Sequence, residues 1–295
     1  MSSLLSDITA RLVPISDTPA LDASVLVADI VKKPRTWVMA HPELTLTIEQ
    51  QRELDDSLAR LENGTSFPYV IGHWEFFGME FEITPDVLIP RPETELLVEK
   101  AIVWLQESQS RKTVADVGTG SGAIAISVAV NAPNVNILAT DISPKALQVA
   151  KRNAEKHGVS NRIKFIECDL LPDRRPRSAD SSSFTLHPSS LHLLCANLPY
   201  IPTETLHSLP IYGREPTVAL DGGKDGLDFI RRLLNIAPVW LAPGGSIYLE
   251  IEATQGLKAS SLAREAFPEA RISLQQDLTG KDRLLKIDLS LQTDT

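Results

Sequence analysis

The chain of 295 residues is poor in cysteine, in basic charge and in long apolar runs. Its two cysteines, Cys168 and Cys195, cannot build a disulfide framework, which excludes a disulfide-stapled secreted fold. Lys and Arg number 29 against 38 Asp and Glu, and the net charge of -9 disfavours direct binding to nucleic acid. No apolar run reaches the roughly 20 residues that a membrane span requires. The N-terminus also lacks the basic start and apolar core of a signal peptide, so we expect a cytoplasmic protein.

Histidine is scarce as well, and the six histidines form no ligand-spaced cluster with the cysteines. We therefore predict no metal site. The hydrophobic content is 43%, which is enough for one large domain or two ordinary domains with real cores.

Three segments with different patterns follow one another. Residues 1–72 have helical periodicity, with Thr47 before the run IEQQRELDDSLARLENG, and predict a small helical domain. Residues 73–90 begin with HWEFFGMEFEI, which predicts a β-hairpin linker. In residues 91–295 strand-like and helix-like runs alternate, which predicts an α/β domain with helices on both faces of a parallel sheet. The stretch 172–190, rich in Ser, Pro and Arg, is expected to be a mobile surface insertion.

A glycine-rich loop is predicted between the first strand of the α/β domain and its helix, in the run ADVGTGSGAIAI. Glycine lets backbone N–H groups and a helix N-terminus approach a ligand without a Cβ in the way. With Ala123 and the later Asp141, the run also satisfies the dinucleotide-binding pattern, so a dehydrogenase is one interpretation. Close packing of helix on strand without a ligand is another. The candidate ligand-binding residues of this loop are Gly118, Thr119, Gly120, Ser121 and Gly122.

Two acids follow the next two predicted strands. Asp141 in LATDIS is placed to accept hydrogen bonds from both hydroxyls of a ribose. Its alternative role would be to cap the next helix, but Ser143 can fill that role. Asp169 in ECDLL could accept from an exocyclic adenine amine or be an ordinary acid at a strand end. Both lie at the carboxyl edge of the predicted sheet, where open α/β sheets bind ligands.

The run CANLPYIP places an asparagine, a proline and a tyrosine after the apolar strand LHLL. Turn chemistry alone could explain Asn197 and Pro199. Together with DVGTGSG, Asp141 and CDL, however, the Asn-x-Pro-Tyr tetrad resembles class I S-adenosylmethionine-dependent methyltransferases of the amino-methylating group. More closely, YVIGHWEFFGMEFEITPDVLIPRPETELLVE and EPTVALDGGKDGLDFIRRLL resemble the HemK/PrmC family, the peptide chain release factor glutamine methyltransferases. The resemblance covers nearly the whole chain.

The resemblance implies a Rossmann-like sheet of seven strands, with one antiparallel strand near the C-terminus, and an N-terminal helical domain that engages the protein substrate. It implies S-adenosyl-L-methionine as the cofactor. In that family the loop Gly118–Gly122 would hold the methionine end, Asp141 the ribose, and Asp169 with Leu170 the surroundings of the adenine. Asn197 would lie where cofactor and substrate meet.

The tetrad Asn197, Leu198, Pro199 and Tyr200 would bind the substrate amide and carry the catalysis. By resemblance, the Asn197 side-chain oxygen and the Leu198 backbone carbonyl accept the two amide hydrogens. This arrangement turns the nitrogen lone pair toward the methyl group, while the Tyr200 ring forms a wall. Positioning of this kind suits an amide, which is a poor nucleophile attacking a good electrophile.

Arg91 and Glu95 in IPRPETE are further candidates for substrate binding, at the entrance where hairpin meets sheet. The alternative is that this run simply starts a helix, with proline first and acids in the first turn.

One position departs from the family pattern. Leu198 stands where the family typically has proline, so the φ restraint of proline is lost, while the backbone carbonyl is kept. The same tetrad resembles that of ribosomal RNA adenine dimethyltransferases, which leaves adenine methylation in RNA as an alternative. A non-catalytic S-adenosylmethionine-binding protein is another. We expect a monomeric enzyme that methylates the glutamine amide in the Gly-Gly-Gln motif of release factors.

Overall fold

The computed structural model describes residues 4–107, 110–172 and 187–290. The chain forms two compact units, Met1–His73 and Trp74–Thr295. The predicted hairpin lies almost entirely in the second unit. Of the predicted insertion at 172–190, residues 173–186 lie outside the described ranges. In the part of the chain that the structure describes, no helix is long and apolar enough to cross a membrane.

Within residues 4–73 the first unit forms five helices: α1 (Leu4–Leu12), α2 (Pro19–Val31), α3 (Arg35–Ala40), α4 (Ile48–Glu62) and α5 (Phe67–Ile71). The apolar faces of α1, α2 and α4 share one buried core that includes Leu12, Leu26 and Leu58. The helix start predicted at Thr47 is confirmed, because Thr47 forms a reciprocal capping box with Gln50. Such a cap stabilises a helix by about 1 kcal/mol.

The predicted hairpin consists of β1 (His73–Phe76) and β2 (Met79–Glu82), and all of it except His73 belongs to the second unit. Its two-residue turn places Phe77 at φ 52° and Gly78 at φ 68°. Two positive φ angles are the geometry of a type I′ turn, whose twist matches that of the flanking strands.

A seven-stranded sheet forms the centre of this unit. Its strands are β3 (Lys112–Val117), β4 (Val135–Asp141), β5 (Ile163–Glu167), β6 (Leu191–Ala196), β7 (Leu241–Glu250), β8 (Arg271–Gln276) and β9 (Asp282–Asp288). They lie in the order β5-β4-β3-β6-β7-β9-β8, and only β9 among them runs antiparallel to both of its neighbours. The predicted sheet of seven strands with one antiparallel strand near the C-terminus is therefore confirmed.

The helices of the second unit are α6 (Thr94–Gln106), α7 (Ala123–Asn131), α8 (Pro144–Lys156), α9 (Thr203–Leu206), α10 (Asp228–Ile236) and α11 (Gly256–Ala266). From β3 the chain proceeds outward through β4 and β5, and then returns to place β6 on the other side of β3. The strand order thus reverses between β3 and β6. Open α/β sheets bind ligands at the carboxyl ends of the strands that flank such a reversal.

Candidate active site

The glycine-rich loop follows β3 directly, and all three of its glycines have positive φ. A Cβ on Gly120 would meet no atom within 4 Å, whereas a Cβ on Gly122 would lie 2.7 Å from Ile126 Cδ1. Gly120 therefore borders open space, and Gly122 allows α7 to pack closely. Gly122 thus fits the packing interpretation, and ligand approach beside Gly120 stays a prediction.

A buried acid lies beneath this loop. Asp116, in β3, accepts hydrogen bonds from the Thr119 hydroxyl at 2.6 Å and the Ala125 N–H at 3.1 Å. Burial raises the pKa of Asp116 to about 7. Thr119 and Ser121 are buried too. Asp116 was not a predicted site residue, although an acid inside an apolar strand is itself a signal.

Asp141 ends β4 beside the loop. Its carboxylate accepts hydrogen bonds from the Gly120 N–H at 2.9 Å and the Ser143 N–H at 2.8 Å. Burial raises the pKa of Asp141. The predicted cap of α8 is confirmed, since the Ser143 hydroxyl accepts from the Ala146 N–H. Asp141 is therefore not needed as the cap.

Asp169 and Leu170 follow β5. The Asp169 carboxylate forms an ion pair with Arg232 of α10. Leu170 is buried with φ 64°, and its carbonyl accepts from the Thr140 hydroxyl at 2.6 Å. The ion pair gives Asp169 a partner within the protein, and an adenine contact remains a prediction.

The Asn-x-Pro-Tyr tetrad directly follows β6. Asn197 Nδ2 donates to Thr94 Oγ1 at 3.0 Å, so the nitrogen of the amide is engaged and Oδ1 remains as an acceptor. A Cβ on Gly118 would lie 3.2 Å from Leu198 Cδ2, which places the leucine side chain against the glycine loop. The Tyr200 hydroxyl faces Glu250 Oε1 at 3.5 Å.

The glycine loop, the two strand-end acids and the first three residues of the tetrad border a pocket that contains about 810 Å³ of space, including its mouth, whereas Tyr200 does not line it. The lining includes eight of the predicted site residues: Gly118, Gly120, Asp141, Asp169, Leu170, Asn197, Leu198 and Pro199. Apolar side chains that were not predicted complete the wall: Val87, Leu88, Ile142, Ala146, Pro216, Val218, Ala219 and Phe229. An apolar pocket with a few convergent polar groups has the character of a small-molecule site.

Arg91 and Glu95 do not line this pocket. Arg91 pairs with the buried Glu215, which also accepts from the Ile89 N–H at 3.1 Å. Glu95 accepts from the Phe77 N–H at 2.8 Å and so anchors the hairpin turn on α6. Both residues thus have structural contacts at the positions where substrate contacts were predicted. The pair with Glu215 also braces the segment that carries Pro216 into the pocket wall.

In the described ranges, no three His, Cys, Asp or Glu side chains come together in a group that could hold a metal ion.

Residues 108–183 match the family described as "Methyltransferase domain", and the sheet order with a pocket at its reversal agrees with a protein of this class. Residues 3–72 match the PrmC N-terminal domain. The release factor glutamine methyltransferase of Moorella thermoacetica is 40% identical over 268 residues, which are 90% of each chain. That of Coxiella burnetii is 36% identical over 282 residues, 95% of each. The chain therefore belongs to the release factor glutamine methyltransferase family.

A solved structure supports the fold alone. The crystal structure of the hMettl16 catalytic domain in complex with the MAT2A 3′UTR hairpin 6 matches with a TM-score of 0.52 at 17% identity. The match covers 81% of this chain and 84% of that one.

Proposed function

We propose that this enzyme transfers a methyl group from S-adenosyl-L-methionine to the side-chain amide nitrogen of the glutamine in the Gly-Gly-Gln motif of peptide chain release factors. Family membership supports the reaction. The main structural observation in support of the proposal is the orientation of Asn197. Its amide nitrogen donates to Thr94, and its oxygen is left as an acceptor at the pocket wall.

The pocket residues fit the cofactor. The open space beside Gly120 allows close approach of a ligand to the loop backbone. The Asp141 carboxylate has about four acceptor positions, two of which accept the N–H groups of Gly120 and Ser143. The Ile142 N–H also acts on this carboxylate, which leaves one acceptor position for a ribose hydroxyl. When bound, the cofactor supplies an electrophilic methyl group on a sulfonium.

The remaining loop and strand-end residues complete the proposed cofactor site. Thr119, Ser121 and Gly122 shape the backbone of the loop that holds the methionine end. Asp169 and Leu170 border the adenine. Their positions between the loop and α10 agree with this assignment, because Asp169 and Leu170 line the same pocket as Gly118.

The tetrad would bind and orient the substrate amide. Asn197 Oδ1 and the Leu198 carbonyl accept its two hydrogens, which aligns the nitrogen lone pair for attack. Tyr200 and Pro199 shape the side of the site. The barrier is lowered by orientation and by hydrogen bonds that strengthen as the nitrogen gains positive charge. Arg91 and Glu95 contribute by holding the hairpin and the pocket wall in place.

The first unit is proposed to recognise the release factor, because residues 3–72 match the PrmC N-terminal domain. The division into a recognition domain (1–72), a hairpin linker (73–90) and a catalytic domain (91–295) belongs to the same proposal. A protein substrate that acts in translation also favours a cytoplasmic enzyme, which we expect to act as a monomer.

The proposal is tested by transfer of labelled methyl from S-adenosylmethionine to purified release factor. A release factor with Gln-to-Ala in the Gly-Gly-Gln motif and a ribosomal RNA serve as controls. Label on the wild-type release factor alone is expected. Label on the RNA would instead assign adenine methylation, and cofactor binding without label on either would favour a non-catalytic protein.

A further inference from the structure

A buried glutamine lies beside the end of the tetrad. Gln255 is 6% exposed and stands immediately before α11. Its backbone N–H donates to the Glu252 carbonyl, and its own carbonyl accepts from the Ala259 N–H. The backbone of Gln255 is therefore fixed on both sides. Glutamine is mostly exposed in folded proteins, so a buried one needs hydrogen-bond partners for its polar atoms.

The side-chain amide of Gln255 has partners at both of its ends. Its Oε1 accepts from the Glu252 N–H at 3.1 Å, while Nε2 donates to the Tyr200 carbonyl at 2.9 Å and to the Gly226 carbonyl at 3.3 Å. Serving all three groups takes an acceptor oxygen on one side and two N–H donors on the other, which a side-chain amide provides. We call Gln255 with these three backbone groups the Gln255 clamp.

The clamp joins two backbone segments that touch directly. A Cβ on Gly226 would lie 2.5 Å from Gln255 Nε2 and closer still to the Tyr200 carbonyl oxygen, so only a glycine fits between them. Gly226 belongs to the stretch that leads from Ala219 to Phe229, and both of these end residues line the pocket. The clamp thus fastens the last residue of the tetrad to a segment whose two ends form part of the pocket wall.

The restraint on Tyr200 reaches the carbonyl that is proposed to accept from the substrate. The Leu198 carbonyl lies two residues before the Tyr200 carbonyl. Between them the ring of Pro199 fixes φ, and the proline also limits ψ of the residue before it. Few free backbone torsions therefore separate the two carbonyls, and an orientation imposed on Tyr200 restricts the orientation of the Leu198 carbonyl.

We propose that Gln255 is a positioning residue, and that its clamp holds the tetrad backbone with the Leu198 carbonyl toward the substrate amide. Gln255 is not among the residues that line the pocket, so it acts through the Tyr200 backbone rather than on cofactor or substrate. The inference deepens the proposed function and rests on it, because the direction of the Leu198 carbonyl matters only if a donor on the substrate meets it.

The test compares two variants of the full chain by steady-state methylation of release factor at saturating S-adenosylmethionine. Gln255→Met keeps the length of the side chain and removes all three hydrogen bonds. Its kcat should fall about 10- to 100-fold, as when a reacting group is slightly misplaced. Gln255→Glu keeps the shape more closely, but it places an oxygen where the N–H₂ faced two carbonyl oxygens. Its kcat should fall at least as far as that of Gln255→Met.

Asn153→Leu is the matched control, because Asn153 is a buried amide with the same bonding pattern. Its Oδ1 accepts from the Glu82 N–H at 2.7 Å, and its Nδ2 donates to the carbonyls of Glu82 at 3.0 Å and Ser121 at 2.9 Å. This variant should lower the melting temperature about as much as Gln255→Met. Since Asn153 holds the glycine loop and not the tetrad, its effect should appear in the dissociation constant of S-adenosylmethionine.

The two parameters separate the clamp from a general loss of stability. In Gln255→Met the dissociation constant of S-adenosylmethionine should stay within about threefold of the wild type, and the loss should appear in kcat. A wild-type kcat in Gln255→Met would overturn the proposal. A Gln255→Glu variant more active than Gln255→Met would overturn it too, because the volume of the side chain would then matter more than its two donors.

Amide hydrogen exchange, measured by NMR, gives a readout that is independent of the substrate. The Ile201 N–H donates to the Leu220 carbonyl at 3.1 Å, and the Gly222 N–H donates to the Ile201 carbonyl at 2.8 Å, so both report on the joined segments. Their exchange should be about tenfold faster in Gln255→Met and unchanged in Asn153→Leu. Equal exchange in Gln255→Met and the wild type would refute the clamp. If the wild type methylates no release factor, the proposed function fails, and the exchange data still decide whether Gln255 holds the tetrad.

Discussion

Replacing Asn197 by alanine removes the side-chain oxygen that the proposed mechanism needs and leaves the Leu198 carbonyl in place. One of two oriented acceptors is lost. Removal of a single oriented hydrogen-bonding group from a transition-state site lowers kcat by about 100- to 1,000-fold, or about 3–4 kcal/mol. We therefore expect kcat to fall into this range, with activity still measurable.

Cofactor binding should change far less than turnover. Most of the proposed cofactor contacts, including those of Gly118, Gly120 and Asp141, lie on residues that the substitution does not alter. Losing the Asn197–Thr94 hydrogen bond costs about 1 kcal/mol. In a unit of this size that lowers the melting temperature by about 2–4 °C. Turnover with labelled cofactor, titration calorimetry and scanning calorimetry measure the three quantities separately.

Asn131→Ala provides a control away from the pocket, since the Asn131 amide donates one hydrogen bond to the Ser127 carbonyl at 2.9 Å and lies at the far end of α7. Because Asn131 is exposed and alanine has the higher helix propensity, the melting temperature should change little and kcat should stay intact. If Asn197→Ala kept full turnover, the tetrad would not orient the substrate. Unchanged turnover with weakened cofactor binding would instead assign Asn197 to the cofactor alone.

Three further predictions concern the loop and its acids. Gly122→Ala should lower the melting temperature more than Gly120→Ala, because the new methyl lies 2.7 Å from Ile126 Cδ1 at position 122 and meets nothing at 120; equal losses in scanning calorimetry would contradict this. Asp141→Asn should weaken S-adenosylmethionine binding about tenfold in calorimetry, since a charged acceptor is lost, while an unchanged affinity would remove Asp141 from the ribose site. Asp116, with a folded pKa raised from 3.8 to about 7, binds its proton more tightly when folded, so its contribution to the unfolding free energy should fall as the pH rises from about 4 to 7. The Asp116→Asn variant should lose this slope in denaturant titrations, and a slope equal to the wild type would refute the assignment.

The elements that the sequence predicted correctly carry local signals. The Thr47 capping box is contained within four residues, and the hairpin turn has a glycine at its second position. The sheet was predicted because strand-like and helix-like runs alternate over the whole second unit. Each of these patterns depends on neighbours in the sequence, so no knowledge of tertiary contacts is needed to recognise it.

The contacts that support the site carry no such signal. Thr94 and Asn197 are separated by 103 positions, and Tyr200 and Glu250 by 50. A lone acid at the end of an apolar strand has no periodicity that would mark it as part of a polar network. The structural partners of Arg91 and Glu95 were missed for the same reason, because Glu215 and the Phe77 N–H approach them only in the folded chain.

The tertiary contacts also bear on the leucine at position 198. Proline would restrain φ through its ring. Here other segments of the chain contact the backbone of the tetrad and of the residue that follows it. A Cβ on Gly222 would lie 2.7 Å from the Pro199 carbonyl oxygen, so the two segments touch through bare backbone. Gln255 Nε2 donates to the Tyr200 carbonyl at 2.9 Å, and the Gly222 N–H donates to the Ile201 carbonyl at 2.8 Å.

These contacts hold the chain on the C-terminal side of Leu198, while the Leu198 side chain packs against the glycine loop on the other side. A short segment that is held at both ends has few backbone conformations left, because its φ and ψ angles must be such that the chain connects the two fixed ends. We therefore expect packing to restrain the backbone that proline would restrain covalently, and we expect Leu198 to be compatible with an active tetrad. Its aliphatic side chain adds apolar surface where the loop and the tetrad meet.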